Sequence, residues 1–209
     1  IALTPYRDET MIDAQALGAI IERAYAEAGL HPDQVDAGAV ILTGEALRRE
    51  NGEAIAAMLA EQGGEFVCAT AGHHMESMLA VYGSGAARRS FDRGLCILNI
   101  DIGGGTTKLA LVERGELRAT AALHIGGRLL VTDAEGRIVR LDPAGRAHAR
   151  RAGFDWRLGD TVTRAQLAAV TEGMADALVR MLTQRATPAD IDELLLTDPI
   201  ADFGALDGI

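Results

Sequence analysis

The sequence predicts an α/β protein in which mixed sheets are flanked by helices. Three observations carry this expectation. Over roughly the first ninety residues, helical and strand periodicities alternate. Between residues 96 and 125, three strand-like runs follow one another with only short glycine turns between them. From Thr163 a long, capped helical pattern begins. Alternating elements indicate helices layered on a sheet, and consecutive strands with tight turns indicate an antiparallel meander.

The elements follow in order. Residues 13–28 read as a helix, with Leu17, Ile20, Ile21, Ala24 and Ala28 at helical spacing, Asp13 as N-cap and Gly29 as stop. His31-Pro32-Asp33 turns the chain, and residues 39–43 form a short strand ending at Gly44. A helix is expected over 45–61, with Ala54, Met58 and Leu59 inward, then a break at Gly63-Gly64 and a strand over 66–69. Residues 75–87 read as one helix in which Gly83 and Gly85 suggest close packing on a neighbour, because glycine costs about 1 kcal/mol there against alanine. The strands of the meander are 96–103, 107–112 and 117–125, turning at Gly103-Gly104-Gly105 and at Arg114-Gly115. The first of these is expected to be central and buried.

A domain boundary is placed near Gly94, giving a first subdomain over 1–93 and a second over 94–209. Within the second, 131–160 reads as a surface insertion carrying Arg137, Arg140, Arg146, Arg150, Arg151 and Arg157. Its arginines read as a solvated face or as a surface for an acidic partner. Thr163 opens the long helix in a capping box with Gln166, and Leu167, Val170, Met174, Leu178, Met181 and Leu182 form its apolar stripe. A short helical turn is expected over 188–194.

Composition narrows the function classes. Of 209 residues 48% are hydrophobic and only 4% aromatic, so the core is built from aliphatic side chains. The formal charge of -10 argues against nucleic acid as a partner, because that binding is largely electrostatic. No apolar run reaches the ~20 residues of a membrane span. Cys68 and Cys96 lie in apolar, strand-like runs, as free thiols of a reducing cytoplasm do. The start, Ile1-Ala2-Leu3-Thr4-Pro5, lacks a Met and a signal pattern and reads as a cut within a longer protein.

The sharpest motif is Asn99-Ile100-Asp101-Ile102-Gly103-Gly104-Gly105-Thr106-Thr107-Lys108. An acidic residue ends a strand, three glycines turn the chain, and a second strand leaves. Glycines allow close backbone approach, and successive N–H groups in such a turn converge on an anion. Thr106 and Thr107 can add hydroxyl donors, and Asp101 is a hard oxygen ligand suited to Mg2+. No Gly-Lys-Ser/Thr precedes a helix, so this is not a Walker loop. A strand rather than a helix follows the glycines, so it is not a dinucleotide fingerprint. A hairpin turn without a ligand is the alternative.

These residues resemble the second phosphate-binding hairpin of the actin, sugar-kinase and heat-shock-chaperone superfamily. The 75–87 helix, with Glu76 at its start and Tyr82-Gly83 inside, resembles the interdomain connecting helix, and Gly126-Gly127 occupies a family-like position. Within the superfamily, four stretches are similar to the large subunit of the ethanolamine ammonia-lyase reactivating factors. They are Ile41-Leu42-Thr43-Gly44-Glu45, Ala71-Gly72-His73-His74-Met75-Glu76-Ser77, the run 98–106, and Ile125-Gly126-Gly127-Arg128-Leu129-Leu130. The resemblance implies an actin-like ATPase (ribonuclease-H-like) fold, incomplete at both ends. A first phosphate hairpin would precede Thr4, and an adenosine turn would follow Ile209.

The resemblance further implies a chaperone-like factor that binds ATP with Mg2+, hydrolyses it slowly in the full-length cytoplasmic protein, and releases damaged cobalamin from ethanolamine ammonia-lyase. The fragment alone would be inactive. The residues it places at the site are Asp101 and Glu76 for catalysis, Asp101 for the metal, and Gly103, Gly104, Gly105, Thr106, Thr107, Gly126 and Gly127 for the nucleotide. Neither nucleic acid nor membrane is an expected partner, and a homo-oligomer is left open. The alternatives are a small-molecule kinase of the superfamily and an actin-like structural or assembly protein. Glu76 also reads as a plain helix-start glutamate. The adjacent His73 and His74 point apart and make a poor metal pair. Met58, Met78, Met174 and Met181 read as core filler, and Thr43 and Glu45 at a strand end carry little.

Overall fold

The computed structural model describes residues 2–5, 7, 11–43, 65–183 and 192–209. The expected helix over 45–61, with Met58, and Glu45 and Pro188 all lie outside them. The chain divides into two compact units, residues 1–72 and 73–209.

The first unit contains helix α1 (Ala14–Ala28) and strands β1 (Ala37–Thr43) and β2 (Glu65–Ala71). Asp13 caps α1 by accepting from Ala16 N–H at 2.9 Å, and Gly29 ends it at φ 66°, a left-handed conformation that glycine adopts without a Cβ penalty. Leu17, Ile20 and Ile21 of the expected stripe are half-buried, while Ala24 and Ala28 are exposed. β1 and β2 pair in parallel, Ala37 opposite Glu65 through Thr43 opposite Ala71.

The second unit opens with α2 (His73–Gly83) and α3 (Ala86–Arg93). The single helix expected over 75–87 is therefore two. Gly85, at φ 80°, breaks it, and Ser84 donates its hydroxyl to Asn99 Oδ1 at 2.9 Å. A Cβ on Gly83 or Gly85 would meet nothing within 4 Å, so these glycines serve the chain break and not close packing. The division at Gly72 lies upstream of the boundary expected near Gly94, because α2 and α3 pack on the meander.

The meander is as expected: β3 (Cys96–Ile102), β4 (Thr107–Glu113) and β5 (Glu116–Leu123), antiparallel in the order β3-β4-β5. The β4–β5 turn has Arg114 and Gly115 at φ 53° and 84°, the left-handed pair that a two-residue hairpin requires. The central strand is β4, not β3 as expected. Leu109 and Leu111 of β4 face Leu98, Leu123, Ile125 and Met181, while Ala110 and Val112 face Val81 and Ala87. Burial on both faces is the signature of a middle strand. β3 pairs with β4 on one side, and on its other side Ile97 makes an isolated parallel bridge to Gly208; Asp101 and Ile102 are exposed.

After Gly126-Gly127 come the hairpin β6 (Leu130–Thr132) and β7 (Ile138–Leu141), then α4 (Pro143–Arg151) and α5 (Arg164–Leu182). Thr163 and Gln166 form the expected capping box. The 131–160 stretch exposes Arg137, Arg150, Arg151 and Arg157, yet it is more than a solvated insertion. Ile138, Leu141, Ala149 and Trp156 bury themselves with Val162 and with Val170 of α5, and Phe154 stacks on Trp156 at 4.7 Å. Beyond the long helix, a 3-10 turn covers Asp192–Leu194, and Leu194, Ile200 and Phe203 complete the meander core. Among the described residues no helix is long and apolar enough to cross a membrane.

One buried histidine links α4 to the end of β5. His148 Nε2 lies 2.7 Å from the His124 carbonyl, to which it donates. Burial pushes the His148 imidazole below the usual histidine range. The His124 carbonyl acts against that shift and Arg151 adds to it. The unfolded chain thus takes up this proton more readily than the folded one, so stability is intact above an imidazole pKa of about 6.5 and falls as pH drops below it. Thermal melts between about pH 7 and about pH 5.5 are expected to show this loss, and His148→Gln is expected to flatten it.

Candidate functional site

The site forms at one end of the meander, where the β3–β4 turn meets the turn after β5. Gly103 N–H donates to the Thr106 carbonyl at 2.9 Å and closes the hairpin. The second turn then holds the first by its carbonyls: Gly127 N–H reaches Gly103 O at 3.0 Å, and Arg128 N–H reaches Gly104 O at 2.7 Å. With those carbonyls directed at 127 and 128, the amides of Gly104 and Gly105 have no acceptor among the described residues. Successive backbone amides without an internal acceptor are groups that a bound anion can satisfy.

The approach of the two turns depends on glycine. A Cβ on Gly126 would lie 2.4 Å from Gly104 O and 2.7 Å from the Gly105 carbonyl carbon. On the other side, Arg128 lays its side-chain stem over the turn, its Cβ 3.6 Å from where a Gly104 Cβ would be. The Arg128 side chain has no ion-pair partner among the described residues, and it is a cation beside the turn to which sequence reasoning assigned no role.

The β-sheet pleat sorts the polar side chains. In the β3–β4 ladder Asp101 stands opposite Lys108 and Ile102 opposite Thr107. Directly opposed residues share a face, so Asp101 and Lys108 point to the α2 side of the sheet and Thr107 to the α5 side. Thr107 is fully buried and donates its hydroxyl to the Ile125 carbonyl at 2.8 Å. It therefore ties β4 to the Gly126-Gly127 turn and does not offer the hydroxyl donor expected of it. Thr106 is buried too, and its Oγ1 accepts from the Lys108 ammonium.

Glu76, in the first turn of α2, forms an ion pair with Lys108 in which both side chains are only 9% exposed. Its second oxygen, Oε1, is buried and has no hydrogen-bond partner. Lys108 is the residue that sequence reasoning missed. The signal was a lysine directly before the apolar run Leu109-Ala110-Leu111-Val112, which needs a partner when the strand start is buried. His74 Nδ1, in hydrogen-bond contact with Thr120 Oγ1, fastens the same turn of α2 to β5. No group of three or more His, Cys, Asp or Glu side chains comes together among the described residues.

Behind the Gly126-Gly127 turn, on the α5 side, lies a cavity of about 320 Å³. Ile102, Leu129, Leu167, Met174 and Leu178 make its walls mainly apolar, with Thr171 and His148 supplying polar groups. The phosphate-type turn and an apolar cavity thus share the Gly126-Gly127 backbone.

The family described as ethanolamine utilisation protein EutA matches residues 1–209. The chain belongs to the EutA family. Two curated relatives, each named ethanolamine ammonia-lyase reactivase EutA, are similar over 191 residues, or 90% of this chain. The Salmonella typhimurium protein is 39% identical and the Escherichia coli protein 38%. This EutA-family chain spans 40% of the length of either relative. Among solved structures, the ethanolamine utilization protein EutJ from Carboxydothermus hydrogenoformans is 18% identical, with a TM-score of 0.43 over 90% of this chain and 62% of that one.

The glycine contact gives a direct test. Gly126→Ala is expected to destabilise the chain by about 2–3 kcal/mol, because the added methyl meets backbone that cannot move alone. Gly127→Ala, whose Cβ would find only Gly103 O at 4.0 Å, is expected to cost under about 1 kcal/mol. Denaturant midpoints of the two variants measure the difference.

Proposed function

We propose that the protein containing this chain is an actin-like ATPase acting as a reactivating factor, which releases damaged cobalamin from ethanolamine ammonia-lyase so that intact adenosylcobalamin can bind. Family membership and the names of the two relatives support the partner and the outcome. The observation that carries the chemistry is the locked glycine turn. Its amides at Gly104 and Gly105, without an acceptor among the described residues, lie a few residues from Asp101 at the end of β3, and Gly126 packs against the turn.

The residues fit a magnesium nucleotide in three respects. The turn amides suit phosphate oxygens. The exposed Asp101 carboxylate suits a hard cation, directly or through its waters. The apolar cavity behind Gly126-Gly127 suits a flat heterocycle. Mg-ATP would supply a phosphoryl group whose transfer to water drives domain movement in the cytoplasmic, full-length protein.

The chain's own groups do electrostatic work. Amides preset by the second turn stabilise charge on phosphate oxygens without reorganising. Glu76 Oε1, buried and without a donor, accepts a hydrogen bond from a water and orients it. Arg128, beside the turn, adds positive charge at its open side.

Inactivated ethanolamine ammonia-lyase incubated with full-length protein, ATP, Mg2+ and adenosylcobalamin is expected to regain activity. Without ATP it is expected to stay inactive. Asp101→Ala is expected to abolish both ATP hydrolysis and recovery while leaving the melting temperature unchanged, since Asp101 is an exposed strand-end residue. Wild-type turnover in that variant would remove Asp101 from the mechanism. Phosphorylation of a small acceptor, or filaments with ATP, would instead favour a kinase or an assembly protein.

For the 209-residue chain alone, a single turn offers a few hydrogen bonds of about 0.5–1.5 kcal/mol each, against about 4 kcal/mol or more for immobilising a ligand. Calorimetry with Mg-ATP is expected to give a Kd of about 1 mM or weaker. Micromolar binding would mean that the chain carries a complete pocket.

A further inference from the structure

Lys108 has no task in the reading above, yet the site converges on it. Its ammonium is buried in the middle strand of the meander. One N–H is directed to Glu76 and one to Thr106, out of the three a lysine carries. Asp101 is its direct partner across the ladder, on the same face, which places the two Cβ atoms about 5 Å apart. Two residues chosen from the sequence for phosphate and metal chemistry, Glu76 and Thr106, therefore contact one side chain that was not, and a third, Asp101, is its ladder partner.

The burial has a reason. Glu76 is fixed by the first turn of α2 against the sheet, and without Lys108 its charge would be buried with no counter-ion. Thr106 begins where the glycine turn ends. A single ammonium thus joins the helix, the central strand and the base of the turn.

We propose that the Lys108 ammonium is a built-in monovalent cation that holds Glu76 aimed at the base of the glycine turn while fixing the Thr106 hydroxyl. Lys108 is a positioning residue. Its effect on turnover rests on the ATP reading above, but its effect as a cation does not. Removing the side chain leaves a space edged by Glu76 and Thr106 oxygens and faced by Asp101, which suits ammonium or methylammonium.

The test uses full-length protein with Lys108→Ala, Lys108→Met and Lys108→Arg. Melting temperatures are compared in methylammonium chloride and in tetramethylammonium chloride at equal ionic strength, the second ion being too large to enter. Methylammonium is expected to raise the melting temperature of K108A selectively and to leave wild type unchanged, as a ligand of the folded state does. In ATP hydrolysis, K108M is expected to lose about tenfold or more in kcat with KM changed by about threefold or less. Methylammonium is expected to restore part of the K108A rate and none of the K108M rate, where the side chain fills the space. K108R is expected to keep more activity than K108M.

Should K108A not fold, the double variant E76Q/K108M removes both charges together. It is expected to fold and to have lost hydrolysis as fully as K108M. Identical melting of K108A in the two salts, or wild-type hydrolysis by K108M or the double variant, overturns the proposal. A wild-type protein without ATP hydrolysis would refute the ATP reading alone, and the melting comparison would still decide the cation claim.

Discussion

Gly126 approaches the glycine turn so closely that a single methyl group would have to occupy the space of the Gly104 carbonyl. Much of the site follows from that approach. It lets the amides of 127 and 128 take the carbonyls of 103 and 104, while the amides of Gly104 and Gly105 have no acceptor among the described residues. It also brings the end of β5 over the start of β4, where Thr107 closes the contact through the Ile125 carbonyl. Two turns that are each flexible as isolated glycine runs become one rigid ledge, because each satisfies the other's buried polar groups.

The central strand explains how that ledge is supported. β4 is sandwiched between α2 and α3 on one face and the α5-side core on the other, so its side chains alternate between two packed layers. Only at its first residues does the alternation deliver polar groups. Thr107 goes to the α5 side and holds backbone, while Thr106 and Lys108 reach the α2 side and meet Glu76. The transition from apolar to polar along one strand marks the boundary between scaffold and site. The buried ion pair there is costly to desolvate, and stability alone is a weak reason to keep it. It sits at the foot of the glycine turn, where Lys108 also reaches Thr106.

Several features could be read directly from local chemistry. Asp13 and Gly29 around α1, Thr163 and Gln166 at α5, and Arg114-Gly115 in the β4–β5 hairpin act within a few residues, and each appears where local rules put it. The meander was readable because its strands are joined by turns too short to allow another pairing. The glycine motif stood out by its composition, and Gly126-Gly127 was joined to it by the family resemblance. Local rules went astray over residues 75–87, where a helical pattern hid the break at Gly85, and over 131–160, where charged residues masked the buried Ile138, Leu141 and Trp156.

Chain chemistry alone thus settled the first and last long helices with their caps and the antiparallel meander with its turns, since these depend on neighbours close in sequence. Only the tertiary structure decided which strand lies in the middle, that Thr107 faces inward, and that Lys108 meets Glu76. Those outcomes depend on which face of a strand meets which helix. Residues 76 and 108 are brought together by packing across the sheet, and no local pattern within either segment encodes that distance.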